Sequence, residues 1–103
     1  MTAHVRAGER LKRELERSAE QAGCTVDWVV EHSRPWSSPS FVGGTHELLL
    51  IVEGQAMTAW LDMLDEDAIY LPGFVLVSLA VGTVEVVNGQ ARASIEAHTV
   101  REA

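Results

Sequence analysis

The sequence predicts an α+β fold, a four-stranded sheet with two helices on one face in the order α-β-β-α-β-β. Three observations carry this. Gly8, Leu11, Leu15, Ala19 and Ala22 recur at three- and four-residue steps, as one face of a helix requires. Leu48 to Val52 is an unbroken apolar run bounded by Gly43-Gly44 and Gly54, the mark of a buried strand. Asn88-Gly89, between a valine-rich segment and one with alternating alanines, is the sequence of a two-residue type I′ hairpin turn. At 103 residues the chain reads as a single α+β domain, 1–103. A chain of this length buries roughly 65% of its unfolded surface without disulfides or metal.

The first helix is expected over 5–22. Pairs four apart (Glu9/Arg13, Arg10/Glu14, Lys12/Glu16) support it, and Gly23 stands where a left-handed cap belongs. Residues 24–32 alternate, with Cys24, Val26, Trp28 and Val30 on the apolar side, which predicts a strand with one wet face. Two prolines and three serines over 35–40 predict a break and a loop of about ten residues running to Gly44. The second strand follows, then a helix over about 56–66 with Met57, Trp60, Leu61 and Leu64 inward. Its acidic end, Asp62 to Asp67, opposes the helix dipole and reads as a solvated terminus.

Phe74 to Val87 predicts the longest strand, with a bulge at Gly82. The hairpin turn then sets Val87 opposite Gln90, Glu85 opposite Arg92 and Val84 opposite Ala93. The last strand, 90–100, turns Ala91, Ala93, Ile95 and Ala97 inward and Arg92, Ser94, Glu96 and His98 outward. Two strand orders fit. Strands two and three are apolar on both faces, which favours 1-2-3-4 with those two at the centre. A permuted ferredoxin-like arrangement places the third strand on an edge instead.

The net charge is −7, distributed as +1 over residues 1–23 and −8 over the rest. Past the first helix the only basic residues are Arg34, Arg92 and Arg101, too few to neutralise phosphates along one face. Nucleic-acid binding and docking on anionic membranes are therefore not expected. Cys24 is the single cysteine and cannot form an internal disulfide. The polar start and the lack of a long apolar run point to a cytoplasmic protein.

Helices cover one sheet face, so an apolar second face needs another cover. An apolar centre with a charged rim is the anatomy of an interface, and a homodimer packed sheet on sheet is the commonest closed form. Leu49, Ile51, Val77 and Leu79 are the candidate contact residues. The chemistry-bearing residues form no motif. His98 and Glu96 share a face and, with Asp27 or Glu31, approach a metal-ligand set, but the edge of a solvated sheet carries such residues routinely; no metal or cofactor is expected. The candidate ligand site lies where the 34–46 loop meets the sheet. There Arg34 offers a cation for an anionic group, Trp36 an aromatic surface, and His46 and His98 proton carriers. The expected function is a noncatalytic interaction or ligand-binding module that homodimerises through its sheet. A small enzyme with a pocket at the 34–46 loop is the alternative.

Overall fold

The computed structural model describes residues 2–102. Its elements are α1 (Ala3–Gln21), β1 (Thr25–Ser37), β2 (Val42–Glu53), α2 (Met57–Met63), β3 (Phe74–Val87) and β4 (Gln90–Arg101). The four strands form one sheet in the order β1-β2-β4-β3, and every neighbouring pair is antiparallel. The expected order 1-2-3-4 is thus corrected: β4, not β3, lies beside β2. Apolar residues on both parities of β3 suggested a central strand. Instead β3 is an edge whose second parity is exposed, while the alanines of β4 mark the centre because small side chains let α1 and α2 approach the sheet.

The core sits on one face of this sheet. Leu48, Leu50 and Val52 of β2 face Ile95, Ala93 and Ala91 of β4, and all six are buried. Leu11, Leu15 and Ala19 of α1 and Trp60 and Leu61 of α2 close over them. Trp60 meets its polar need by donating its indole N–H to Ser18 Oγ at 3.0 Å, which ties α2 to α1. Lys12 Nζ lies 2.6 Å from Glu31 of β1, and that hydrogen-bonded carboxylate raises the lysine pKa above 10.5. Gly23, at φ +78°, ends α1 in the left-handed cap its position suggested.

Two local expectations change. The 34–44 loop is absent: β1 runs through Pro35 to Ser37, and Ser38 N–H donating to the Phe41 carbonyl at 2.9 Å closes a short turn before β2. Proline is tolerated there because β1 is an edge strand, whose outward N–H has no partner to lose. A bulge between Trp28 and Val30 then shifts the register, so that Val30 pairs with Leu49 and leaves the core face. In β3–β4, Asn88 at φ 52° and Gly89 at φ 78° form the I′ turn, and the pairs Val87↔Gln90, Glu85↔Arg92 and Val84↔Ala93 follow. The register slips again between Val81 and Val84, around Gly82.

The molecule is 46 Å long, set by its strands. A helix of 19 residues spans only about 28 Å at ~1.5 Å per residue. The far end of β3 therefore lacks a helical cover, and Val84 and Val86 stay 41% and 53% exposed on the core side of the sheet.

Candidate functional site

The pairing registers arrange the uncovered face into rows. One end row joins Trp36, Gly43, Val100 and Val75, and the next joins Arg34, Thr45, His98 and Ser78. His32, Glu47, Glu96 and Ala80 follow. Val30 and Leu49 form an apolar pair farther along. The middle is polar and internally paired. Arg34 Nη2 lies 3.0 Å from Glu47, His98 Nε2 lies 3.2 Å from Glu96, and His98 Nδ1 lies 3.2 Å from Thr45 Oγ1. An apolar centre with a charged rim was the expectation; the face instead alternates along its strands, from the apolar end row through a charged band to the Val30–Leu49 patch, and then to rows where Ile51 stands among Asp27, Arg92 and Glu85 and Glu53 pairs with Gln90.

The four candidate ligand residues separate accordingly. Trp36 and His98 line one cleft of about 230 Å³ with Val77, Ser78 and Val100. Gly44 and Thr99 complete its lining. The neighbouring Gly43 leaves room for the Trp36 ring: a Cβ there would strike the Thr99 carbonyl and stand 2.8 Å from Trp36 Cε3. Arg34 shares the row of His98 but lies two strands away on β1, where Glu47 engages it. His46 lies on the opposite face of the sheet, wholly buried beneath α1. Its Nδ1 is 2.7 Å from Ser33 Oγ and its Nε2 is 2.8 Å from Thr99 Oγ1. Burial, and then repulsion from His4 and His98, lowers its pKa to about 4, partly opposed by Glu31. A neutral imidazole held by two hydroxyls and closed over by Gly8 of α1 is a structural group, out of reach of a ligand on the other face.

Of the candidate contact residues, Leu49 and Ile51 are half-buried on the open face and Val77 is 53% exposed at a β3 irregularity. Leu79 is in the core, paired with buried Ala97. Cys24 is also buried. Among the described residues, no group of three or more His, Cys, Asp or Glu side chains is placed to hold a metal ion, and no helix is long and apolar enough to cross a membrane.

The two edges of the sheet are unequal. β1 carries Asp27, Glu31, His32, Arg34, Pro35 and a bulge, the devices that discourage strands from pairing with other chains. β3 has 14 residues, no proline and one charge, Glu85; Val75, Val77, Val84, Val86 and Val87 are each more than 40% exposed. Two register slips are its sole irregularities.

No family model matches the sequence. No curated protein matches it either. Among solved structures, a chain from the virion of a native gene transfer agent particle is similar, with a TM-score of 0.55 over 98% of each chain at 18% identity. At that identity the likeness shows a shared fold and nothing more.

No local pattern marks the Ser33–His46–Thr99 network. Those residues are separated by 13 and 53 positions and meet only through strand register. Gly8 falls on the apolar stripe of α1, but its lack of a side chain is what makes room for Ser33 and His46.

Proposed function

We propose that this chain is a noncatalytic subunit that builds an assembly with copies of itself, the smallest closed form being a homodimer. The observation that carries this reading is the β3 edge: fourteen residues long, valine-rich, almost uncharged and, among the described residues, with no strand on its outer side. Exposed edges of this kind are templates for pairing with another chain. The apolar end row around Trp36, Val75 and Val100 borders that edge and extends the surface to be covered. The similar chain from a virion particle agrees with the reading, since a virion is a protein assembly. Two valines exposed on that edge give the test. Val77→Lys with Val86→Lys adds charge to β3 without touching the core. The wild type should have a mass of at least twice 11.3 kDa by light scattering, and the variant 11.3 kDa. A variant that assembles like the wild type would refute β3 as the joint.

The Trp36–His98 cleft supports a second reading, a small-molecule site with an apolar wall and one imidazole. Trp36→Ala would then abolish ligand binding while leaving the fold, read by circular dichroism, intact.

A further inference from the structure

Arg6 and Arg10 of α1 line a cleft of about 220 Å³ together with Ala3, Pro72, Gly73 and Arg101 of β4. Three of the eight basic residues of a chain with net charge −7 thus converge at one place. Among the described residues, no carboxylate forms an ion pair with any of them; the nearby Glu9 turns instead to Lys12 at 3.9 Å. The local structure makes this concentration unfavourable. Arg6 and Arg10 are like charges one helical turn apart. Arg6 stands at the end of the first turn of α1, which has no acidic residue and whose Thr2 side chain makes no cap hydrogen bond, so the helix dipole further disfavours its charge. A group bearing anionic oxygens would relieve all of these, and arginine forks bind carboxylates in pairs of hydrogen bonds.

The same chain holds the complementary surface. Asp62, Asp65, Glu66 and Asp67 are exposed, with no basic residue between them and no ion pair among the described residues. This segment leads into Ala68, Ile69 and Tyr70, which sit beside Arg17, Ser18 and Gln21 in the second half of α1. Arg10 and Arg17 are seven residues apart, about 10 Å along the helix axis, so the segment and the cleft occupy different stretches of one molecule. Copies that each carry −7 repel one another unless opposite charges meet locally. The cleft also borders the β3 edge, since Phe74, the first residue of that strand, lines it.

We propose that the Arg6–Arg10–Arg101 cleft receives the acidic Asp62–Asp67 segment of a second copy of this chain, a contact that fixes the orientation of neighbouring copies. This rests on the assembly reading and adds to it a second, charged joint. The test is charge reversal. Arg6→Glu with Arg10→Glu, and separately Asp62→Arg with Glu66→Arg and Asp67→Arg, change exposed side chains; Asp65 is spared because its carboxylate caps the turn to Asp67 and Ala68. Circular dichroism and thermal unfolding check that each variant folds, and Arg6→Gln with Arg10→Gln stands in for a reversal that does not.

Sedimentation equilibrium should give a dissociation constant at least tenfold weaker for either variant alone, and a 1:1 mixture of the two should regain most of the lost affinity. Raising salt from 20 to 500 mM should weaken the wild type more than the variants. Inorganic phosphate, titrated as a competing anion, should shift the amide signals of Arg6, Arg10 and Arg101 and weaken association together. If the wild type assembles, is dissociated by the β3 lysine variant and is indifferent to both reversals, the cleft proposal is overturned and the assembly reading stands. A wild type that is monomeric at every concentration overturns both. Phosphate binding at the cleft without any effect on association also overturns the proposal and makes the cleft a simple anion site.

Discussion

His46 makes stability depend on pH in a way that can be worked out in advance. An unfolded histidine titrates near 6.5, and in the fold burial lowers His46 to about 4. Between those values the unfolded chain binds the proton that the folded chain excludes, so stability must fall as pH falls. The contribution is complete above about pH 6.5 and lost as pH drops through about 4. The difference corresponds to at most about 3 kcal/mol, of which about 2 kcal/mol is gone by pH 5. The cause is removal of water from the ring more than loss of hydrogen bonds, because the Ser33 and Thr99 hydroxyls can accept from both nitrogens of an imidazolium. Fifteen carboxylates obscure the region below pH 5, so urea unfolding at pH 8 and pH 5 is the useful comparison, with His46→Gln as the reference. Glutamine keeps one donor and one acceptor but does not titrate. The wild type should lose about 2 kcal/mol more than the variant over that interval, a difference of about 1 M in urea midpoint. Equal losses would refute the buried, neutral histidine, as would an imidazole proton signal titrating near 6.5.

Three further perturbations follow from the same packing. Gly8→Ala should destabilise by about 1 kcal/mol although alanine is the better helix former, because the new methyl group displaces Ser33 from His46; a rise in melting temperature would contradict it. Gly43→Ala should cost more than about 2 kcal/mol in urea unfolding, since its Cβ strikes the Thr99 carbonyl of the neighbouring strand and the Trp36 ring. A double-mutant cycle on Lys12→Met and Glu31→Gln should give a coupling of up to about 1 kcal/mol that shrinks with added salt; a coupling of zero would leave the pair without a role in holding α1 to β1.

How much of this was legible in the sequence depended on whether the signal was local. The Asn88-Gly89 turn, the register it sets and the α1 stripe are encoded within a few residues, and each is found where local chemistry puts it. Strand order is not local. Phe74 to Val81 is apolar on both parities whether it is covered by two neighbours or one, so the edge position of β3 could not be read from it. The alanines of β4 were the better sign of a central strand. The bulge at Val29 and the continuation of β1 through Pro35 likewise depend on what β1 pairs with and on which side lies open. For the candidate site, Trp36 and His98 do share a cleft, but only through β2 and β4 lying side by side. His46 is buried under α1 and not in that cleft, because sequence position does not reveal which sheet face its side chain occupies.

Self-assembly through the unprotected β3 edge, as proposed above, makes the mass in solution the decisive quantity. Absolute mass by light scattering across a dilution series, with the wild type run beside Val77→Lys/Val86→Lys, tests it most directly. If copies join through β3, the wild-type mass is a multiple of 11.3 kDa that falls on dilution, and the lysine variant stays at 11.3 kDa. A wild type that stays at 11.3 kDa up to millimolar concentration would contradict it.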